Sequence, residues 1–574
     1  MASKKVYVII YGILGSSQSA IGAYFIGTIS TIEKRFKMPS TSSGLIASAW
    51  DIGALCCAML MAYFGSNGHK TRWVTTTAVI AAFSCFLRYV PHHLFGAGTE
   101  SSSKIHGRNI SDSLCDAKII AEDSCSLESD GLATFIFLFI AHIALGIGTS
   151  TYHTLGAAYL DDNSLKNKVP ILFALSTSLR MIGPSVGFLL ASYTLKIYID
   201  PDTKPSFDRD DPRWVGSWAL GWMPLGVFHL IMAALMAFFP RTLPREALRR
   251  KSTAQTPKAI KKSFSVADFI ATMKRLVNNK ILMFNSFSST FYTFGMIGYW
   301  IFMPKYMETQ FRQSASTASL VTGSIGLIFT ALGVIVSGAF ISKFRPRPQY
   351  LAAWNVFTET VDIIGHFAFA FLGCPKDDLH GRELENGKWQ LVADCNANCN
   401  CASSIKYDPI CSMDKTTTFF SPCHGGCTIS DIINGTKIFS NCSCIPDLQA
   451  TDGACPVECQ NQFIIFLMLL CGMKLLSATG RAGNILIQFR SVSPEDKSVS
   501  IALAEVLLCA VAYIPAPIIY GMLLDYSCLV WGEACGVTGN CWLYNGKILR
   551  YLLNFTASGN KTLKLLKFFA AMIY

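Results

Sequence analysis

Long apolar stretches of this chain contain charged residues, among them Asp51, Arg180, Lys474, Arg481 and Glu505. A charge at such a position is costly in lipid, so it usually faces a cavity or pairs with another charge. The chemistry open to these residue types is ion pairing and the binding of charged or polar solutes. They are therefore our candidates for a substrate translocation pathway.

Their places along the apolar stretches suggest different roles. Asp51 and Arg180 each lie about midway along a stretch; they could form a structural ion pair, or Arg180 could hold an anion. Lys474 and Arg481 are seven residues apart and share one helix face. We expect Lys474, nearer the midplane, to contact substrate. Arg481 and Glu505 are candidates for a salt bridge that breaks when an inner gate opens.

Other polar residues near the ends or faces of these stretches have more modest interpretations. His92 follows Pro91 at the end of one stretch. A histidine with an ordinary pKa near 6.5 can sense external pH, and a merely interfacial histidine is the alternative. For Glu359, Asp362 and His366 a structural network is the preferred interpretation.

The sequence carries no motif for catalysis. It has no phosphate loop, no HExxH metal motif and no nucleophile elbow. We therefore expect no enzyme activity, no cofactor and no metal site. The Cys-x-Cys pairs could suggest zinc, but in an oxidising compartment disulfides are the expected state.

The elements that must position these residues are membrane helices. Of 574 residues, 51% are hydrophobic and 15% are charged, whereas a soluble domain carries about 25% charged residues. A spanning helix needs roughly 20 apolar residues. The clear candidates are residues 73–90, 131–149, 218–239, 281–303, 320–342, 351–373, 463–489 and 500–524, with weaker ones at 6–30, 43–64 and 169–198. The first could be a cleaved signal peptide, but its apolar character continues far enough to span.

Charge distribution sets the predicted orientation. The net charge of +12 is concentrated in short basic segments, above all residues 241–280, and such segments mark the cytoplasmic side of a membrane. Nucleic acid is therefore not an expected partner, whereas membrane lipid is. With the N-terminus in the cytoplasm, segments 91–130 and 374–461 lie outside the cell. We predict a multi-pass protein of the plasma membrane.

The outer segments carry cysteines and glycosylation sequons, as secreted sequences do. Segment 374–461 has eleven cysteines and the last outer loop has three. Because both counts are odd, one bond could join the two; the pairing itself cannot be read from sequence. The disulfide candidates are Cys115, Cys125, Cys374, Cys395, Cys399, Cys401, Cys411, Cys423, Cys427, Cys442, Cys444, Cys455, Cys459, Cys528, Cys535 and Cys541. The sequons are at Asn109, Asn434 and Asn441.

Two segments, "STIEKRFKMPSTSSGLIAS" and "KYMETQFRQSASTASLVTG", share a pattern at an offset of 275 residues. The corresponding pairs within them are Glu33 and Glu308, Phe36 and Phe311, and Leu45 and Leu320. Further along the chain, the same offset relates Lys70 to Arg345 and Arg72 to Arg347. Each match is weak alone, and coincidence is the alternative. Together they indicate two halves with equivalent outer connections and basic inner turns.

A same-orientation repeat of six spans is typical of major-facilitator transporters, whose halves rock about a central site. We therefore predict an all-α membrane protein of two six-helix bundles, with a small disulfide-rich extracellular domain. The predicted domains are an N-terminal bundle (1–240), a basic cytoplasmic linker (241–280), helices 7–9 (281–373), the cysteine-rich domain (374–461) and helices 10–12 (462–574).

The stretch "DPRWVGSWALGWM" resembles the signature of the organic anion transporting polypeptides, D-x-R-W-[IV]-G-A-W-W-x-G-[FL]-[LI]. The matching residues are Asp211, Arg213, Trp214, Val215, Gly216, Trp218 and Gly221, whereas Ser217, Ala219 and Trp222 depart. We expect the motif at an outer helix end, with its tryptophans at the membrane interface. Blocks such as "TLGAAYLDD" and "SPEDKSVSIAL" resemble the family in order, and residues 395–459 resemble its Kazal-like domain.

The resemblance ends near Tyr551, where the twelfth span should follow. The tail "TASGNKTLKLLKFFAAMIY" instead carries Lys561, Lys564 and Lys567. A lysine at a helix centre costs roughly 2.5–3.5 kcal/mol on insertion scales, so we do not expect an ordinary lipid-facing span here.

The resemblance implies sodium-independent uptake of large amphipathic organic anions or neutral steroids: steroid conjugates, bile salts, thyroid hormones and eicosanoids, with an exchange anion such as bicarbonate. Asp51 looks like the family's acidic [DE]IG position. Cys509 stands where many members carry arginine, which favours a less anionic substrate. Relatives with a histidine at the position of His92 are linked to stimulation by external acid. The alternatives are a cell-surface receptor or adhesion protein, a transport-inactive isoform and, least favoured, a protease inhibitor.

Overall fold

The computed structural model describes residues 3–66, 69–96, 114–115, 127–164, 169–200, 214–244, 266–344, 346–374, 379–383, 389–399, 401, 407–433, 436–492, 497–534 and 537–573. Most of the described chain is helical, as the apolar stretches predict. Among the described residues, six helices are long and apolar enough to cross a membrane by length and composition alone. A shorter apolar helix spans Trp222–Ala237.

The first half consists of helices broken by one π-helical turn. Helix α1 begins after Ser3, whose hydroxyl accepts a hydrogen bond from the Val6 amide at 3.4 Å, a standard helix N-cap. The elements are α1 (Lys4–Phe36), α2 (Ser40–Ser66), α3 (Lys70–Phe95), α4 (Leu127–Thr151), the π-turn Tyr152–Gly156, α5 (Ala157–Asp162), α6 (Val169–Arg180), α7 (Ile182–Leu195) and α8 (Trp222–Ala237).

The second half follows a short amphipathic helix, α9 (Val266–Val277). Its elements are α10 (Lys280–Ile301), α11 (Met303–Phe311), α12 (Ala315–Phe344), α13 (Pro348–Phe371), α14 (Gln460–Arg490), α15 (Lys497–Leu508), the π-turn Cys509–Tyr513, α16 (Pro515–Tyr526) and α17 (Gly546–Ile573). The last of these packs against α10 and α13. The backbone is thus helical through the lysine-bearing tail. The side chains from Asn560 onward lie outside the described part, so the expectation that the tail is not a lipid-facing span stays a prediction.

The predicted repeat is visible in the helix ends. Helices α1 and α11 end at Phe36 and Phe311, which correspond at the offset of 275 residues. The next residues, Lys37 and Arg312, both have a φ of 52°, the left-handed conformation that ends many helices. A new helix begins three residues later in each half. The two halves therefore repeat the same helix–turn–helix connection.

The halves pack closely where α2 meets α16. A Cβ on Gly44 would lie 2.2 Å from the carbonyl oxygen of Pro517, and one on Gly521 would lie 2.6 Å from that of Ser40. Lower along the same contact, the Ser48 hydroxyl donates to the carbonyl of Ile514 at 2.6 Å. Only glycine permits this backbone approach.

A disulfide-rich domain covers one end of the bundle, which we call the cap end. Its sheet has the order β4-β3-β7-β6-β5, from strands β3 (Ile410–Ser412), β4 (Thr418–Phe419), β5 (Cys427–Ile433), β6 (Thr436–Cys442) and β7 (Gln449–Asp452), all paired antiparallel. Strands β1 (Arg382–Glu383) and β2 (Trp389–Gln390) form a small ladder beside it. A hairpin of β8 (Cys528–Ala534) and β9 (Val537–Tyr544) lies between α16 and α17.

The cysteines of this cap form disulfides, but one of the expected connections is absent. The bonds are Cys115–Cys399, Cys374–Cys459, Cys395–Cys444, Cys401–Cys423, Cys411–Cys455, Cys427–Cys442 and Cys528–Cys541. The odd cysteine of segment 374–461 is thus Cys399, and it bonds to the earlier loop through Cys115. The suggested bond from this segment to the last outer loop is wrong, because all eleven of its cysteines are used elsewhere. Cys125 and Cys535 lie outside the described residues.

The remaining predictions concern the glycosylation sequons and the cysteines within the spans. Asn441 lies exposed at the end of β6, with its side-chain amide donating to Thr428 at 2.6 Å. The sequon residues Asn109 and Asn434 lie outside the described residues. The cysteines within spans, Cys56, Cys57, Cys85, Cys471 and Cys509, are free thiols.

Candidate functional site

A group of polar side chains lies where the two halves face each other, about midway along their helices. We call it the central cluster; it comprises Asp51 of α2, His153 of the first π-turn, Arg180 at the end of α6, and Glu505 and Cys509 of the second half. His153 and Glu505 are exposed, and Asp51 and Arg180 are half-buried. Side chains that face each other and yet remain exposed indicate a cleft between the halves.

Arg180 is held by several partners from the first half. Its guanidinium lies 3.2 Å from the hydroxyl of Ser19, donates to Nε2 of His153, and has its central carbon 5.4 Å from the ring centre of Tyr152. Because guanidinium has only donors, His153 must accept through Nε2 and is therefore neutral. Gly183, one turn later, packs directly on the backbone of Ser16, which brings Arg180 against α1.

Irregular helix turns present several members of the central cluster. The π-turn Tyr152–Gly156 carries His153, and the π-turn Cys509–Tyr513 begins with Cys509. Such single π-turns are frequent at functional sites because they re-aim side chains within a helix. The helical segment of α6 and α7 is also interrupted at Met181, directly after Arg180.

Asp51 of the central cluster does not form the ion pair with Arg180 that the sequence offered as one alternative. Asp51 lies close enough to Glu505 for the two charges to repel each other, and both also act on Cys509. Among the described side chains, the cation that acts on Glu505 is Arg180. No Asp51–Arg180 salt bridge exists, so that predicted pair is wrong. The side chain of Arg481 lies outside the described part, which leaves the predicted Arg481–Glu505 gate untested.

A second group of charges lies at the cap end, between α1 and α11. We call it the cap-end cluster; it comprises Ser30, Glu33, Lys34, Lys305 and Glu308. Lys305 donates to Glu33 and, at 2.6 Å, to the hydroxyl of Ser40. Lys305 is 7% exposed and Glu33 is 2% exposed. This buried ion pair joins the two halves directly.

The contacts of the cap-end cluster are reciprocal. Ser30 donates to Glu308 at 2.5 Å, and Lys34 lies 3.4 Å from the other oxygen of Glu308. At the repeat offset, Ser30 corresponds to Lys305 and Glu33 to Glu308. Each half therefore offers its glutamate to the same position of the other half. The sequence flagged both glutamates as repeat markers but gave no signal that they reach across.

Neighbouring contacts reinforce closure of the cap end. Asp525, at the end of α16, accepts from the amides of Ser40 and Thr41 at 2.9 and 2.8 Å and so caps α2. The ring of Tyr544, on hairpin β8–β9, lies 5.0 Å from the ammonium of Lys305. The hairpin in turn touches the disulfide-rich domain, where Trp542 stacks on Phe420 at 5.9 Å between ring centres.

Lys474 lies apart from both clusters. It lines a small cavity inside the second half, between α10, α13 and α14, with Tyr292, Tyr299, Asp362, His366 and Ser477. Ser477 donates to Asp362 at 3.1 Å, and His366 lies 3.1 Å from the side-chain oxygen of Asn554. The polar residues of α13 thus take part in a hydrogen-bonded network, and Lys474 is not placed in the central cleft.

The tryptophan-rich motif forms a buried turn rather than an interfacial one. Trp218 and Trp222 are both fully buried, which corrects the expected interfacial position. Tyr24 of α1 organises this turn, since its hydroxyl donates to the carbonyl of Trp218 at 2.7 Å and accepts from the amide of Gly221 at 3.0 Å. Asp211 and Arg213 lie outside the described residues.

The motif also meets α3. Trp214 donates to the carbonyl of Leu195 at 2.9 Å, and Gly216 packs on the same backbone. The ring of His92 lies 6.1 Å from that of Trp218. One turn earlier, the fully buried guanidinium of Arg88 lies over Trp222 at 4.8 Å, a cation–π contact that the sequence reasoning missed.

The chain is similar to known transporters over nearly its whole length. The Organic Anion Transporter Polypeptide (OATP) family profile matches residues 6–549. Solute carrier organic anion transporter family member 74D of Drosophila melanogaster is 32% identical over 600 residues, covering 97% of this chain and 72% of that protein. Member 4C1 of Mus musculus is 30% identical over 558 residues, covering 92% and 75%.

Solved structures agree on the fold. A bacterial homologue of the human lysosomal transporter Spinster aligns with a TM-score of 0.59 at 9% identity, covering 100% of this chain and 97% of the other. A D-xylose–proton symporter aligns with a TM-score of 0.56 at 13% identity, covering 99% and 97%. The predicted fold of two helix bundles with a Kazal-like insert is confirmed. The chain therefore belongs to the OATP family: it is a multi-pass membrane transporter with the major-facilitator fold, not an enzyme.

Proposed function

We propose that this protein is a plasma-membrane importer of large amphipathic organic molecules that works by alternating access, without sodium, with its N-terminus in the cytoplasm. Its substrates are steroids and steroid conjugates, bile salts, thyroid hormones or eicosanoids, exchanged for an anion such as bicarbonate. The observation that carries the proposal is the combination of a closed cap end with a cleft lined by charges from both halves.

In this proposal the cap end faces the outside, and the cap-end cluster is the outer gate. Opening it requires Lys305 and Glu33 to separate and each to find water. The contact of Gly44 with Pro517 must separate in the same movement, because both lie on the seam between the halves. The central cluster then becomes accessible from outside, as the rocking of two repeats about a fixed site requires.

Several sequence predictions remain part of this proposal. The bundle, linker and cap boundaries set out above define the moving units, with segment 241–280 as a cytoplasmic tether. Asp51, Arg180 and Glu505 line the pathway. His92, beside the buried Trp218, is the proposed sensor of external pH. Asn441 is a proposed glycosylation site on the exposed cap.

The test is uptake by cells that express the chain, with surface protein measured by biotinylation. Labelled oestrone sulfate, taurocholate and a neutral steroid should include at least one compound with saturable uptake that survives replacement of sodium by choline. Surface protein with no uptake of any compound would contradict the proposal. Epitope tags at the N-terminus and near Asn441 should be reached from inside and outside, respectively.

A further inference from the structure

Helix α9 carries an apolar stripe that the described part of the protein leaves largely uncovered. Its members recur at spacings of three and four residues, as on one face of a helix: Ile270, Met273, Leu276 and Val277. Leu276 is 2% exposed and is therefore packed against the protein, whereas Ile270 is 60% and Val277 is 49% exposed. A surface that is not part of the described chain must cover the rest of the stripe.

Basic side chains flank this apolar stripe. Lys274 and Arg275 of α9 and Lys280 at the start of α10 are all exposed. The sequence has no acid between residues 270 and 280, and segment 245–262, which precedes α9, carries seven basic residues and one acid. The partner of α9 should therefore be negatively charged as well as able to receive apolar side chains.

The contacts of Asn279 locate α9 in the molecule. Its side-chain oxygen accepts from the amide of Leu282 at 3.2 Å and so caps α10, and its side-chain amide donates to the carbonyl of Ser491, just past the end of α14, at 2.8 Å. From this joint α10 leads to α11 and the cap-end cluster. Helix α9 therefore lies at the end of the bundle opposite the cap.

The first turn of α10 indicates what surrounds the joint. Ile281 and Phe284 are exposed there, on a helix that the sequence predicts to span the membrane, so lipid is the expected surrounding of both. Only residues 278–279 separate this turn from α9. The apolar stripe thus continues a lipid-facing surface. A basic helix with one apolar face, placed at such a boundary, is typical of helices that lie in the membrane interface.

A protein partner fits α9 less well than a membrane surface does. A domain that receives a basic amphipathic helix in a groove binds along its apolar face, and on α9 the middle of that face is blocked, because Leu276 is already buried. A bilayer contacts only one side of a helix and can leave Leu276 where it is. The observations therefore favour lipid.

We propose that α9 is a binding site for anionic phospholipids, lying in the interface of the inner leaflet. Ile270 and Val277 insert at the level of the upper acyl chains. Lys274, Arg275 and Lys280 contact the anionic headgroups. The assignment to the inner leaflet rests on the proposed orientation with a cytoplasmic N-terminus, because anionic lipids are concentrated on that side.

The test is amide hydrogen exchange of residues 270–277 in the full-length protein, reconstituted into nanodiscs of two compositions. One contains phosphatidylcholine alone, and the other contains in addition roughly 30% phosphatidylserine, a source of the negative surface potential that attracts basic segments. Exchange should be at least tenfold slower with phosphatidylserine. About 1 M salt, where the Debye length is about 3 Å, should remove most of this difference.

Paired variants assign the effect to α9. Lys274→Gln with Arg275→Gln keeps good helix formers on the exposed face and should reduce the slowing to about threefold or less. The matched control, Lys343→Gln with Arg347→Gln, removes two exposed basic residues from α12 and the residue before α13. It should leave the exchange of α9 unchanged. Ile270→Ser with Val277→Ser should speed exchange in both compositions, because the apolar anchor is lost.

Three results would overturn the inference. The first is equal exchange of α9 in the two compositions, and the second is a slowing that survives Lys274→Gln with Arg275→Gln. The third is protection that appears only when calcium-loaded calmodulin is added, which would make a protein the partner. The measurement requires no transport, so a failure of uptake in cells would contradict the proposed function without affecting this result.

Discussion

The cap-end cluster and the central cluster are both built from charges that the two halves contribute, but they treat those charges in opposite ways. At the cap end, Glu33 and Glu308 each find a cationic partner in the other half, and the pair Glu33–Lys305 is buried. In the central cluster Asp51 has no cationic partner among the described residues. The seam at the cap end satisfies its own charges, whereas the central cluster leaves a charged side chain without a counter-charge.

Reversing the charge of Lys305 should have the largest effect on this contrast. In Lys305→Glu two acids face each other at the seam, and breaking a buried pair typically costs about 3–5 kcal/mol. The cap end should fail to close, and uptake per surface molecule should fall by more than tenfold. Initial-rate uptake, normalised to surface protein, measures this.

Two further measurements make that result specific. The exchange variant Lys305→Glu with Glu33→Lys should recover part of the uptake, because the pair is restored with opposite polarity. A membrane-impermeant thiol reagent added outside should label Cys509 in Lys305→Glu but not in the unmodified protein. Lys415→Glu, on the exposed turn between β3 and β4, is the control. If Lys305→Glu transports normally, the cap-end cluster is not the gate.

The reciprocal contacts of the cap-end cluster are not equal, and this permits a sharper test. Glu33 and Lys305 are buried, whereas Lys34 has a side chain that is 35% exposed. An exposed pair contributes only about 0–1 kcal/mol. Glu33→Gln should therefore reduce uptake by tenfold or more, and Glu308→Gln by at most about fivefold. The two variants make the same change at equivalent positions of the repeat.

Double-mutant cycles with Lys305→Met and Lys34→Met would assign these effects to the pairs themselves. The coupling of Glu33 with Lys305 should exceed that of Glu308 with Lys34. Equal couplings would mean that burial does not set the strength of the gate, and the comparison drawn above would then lose its basis.

The sequence predicted the repeat and its elements well, because both depend on local patterns. The lengths of the apolar stretches predicted the spans, and the 275-residue offset predicted equivalent helix ends at Phe36 and Phe311. The pairing across the halves was not predictable in the same way. Glu33 and Lys305 are far apart in the chain. No local sequence pattern distinguishes a glutamate that forms an ion pair with the other half from a glutamate that faces solvent.

The candidate site shows the same limit. Asp51, Arg180 and Glu505 were found because charges within apolar stretches are conspicuous. The pairing of Asp51 with Arg180, one of the two alternatives, is not present, because an apolar stretch indicates depth in the membrane but not the direction in which a side chain points about the helix axis. The π-turn that carries His153 rotates the side chains about the helix axis further. The hydrophobic pattern of "STYHTLG" does not predict this π-turn. Lys474, expected in the pathway, instead lines a cavity inside the second half.

A change at His92, near the end of α3 at the cap end, should have a smaller effect. Its Nδ1 has no hydrogen-bond partner among the described residues, and its charged neighbours are Arg35 and His93. If protonation here favours uptake in external acid, His92→Gln should flatten the dependence of uptake rate on external pH and change the rate at pH 7.5 less than twofold, since the ring makes no hydrogen bond there to lose. If His93→Gln flattened the pH dependence of uptake and His92→Gln left it unchanged, the response would belong to His93 and not to His92.

The smallest expected effect is confined to the cap and should leave transport untouched. Burial lowers the pKa of His424 to about 4, while its nitrogen Nδ1 is hydrogen-bonded to Ser421 at 2.7 Å. An unfolded histidine has a pKa of about 6.5. The unfolded cap therefore binds a proton that the folded cap refuses, so stability is complete above pH 6.5 and falls as pH drops toward 4, by up to ~1.4 kcal/mol per pH unit.

Hydrogen exchange of strands β3 to β7 in the full-length protein, corrected for the intrinsic pH dependence, should show this loss. His424→Gln should remove it between pH 6.5 and 4. Asp414→Asn should not alter that window, because hydrogen bonds from Ser412 and Thr416 lower the pKa of Asp414 below its ordinary value, and its contribution is lost only below about pH 4. A slope that survives in His424→Gln would place the acid response of the cap on another group, with His380, whose pKa burial also lowers, as the next to test.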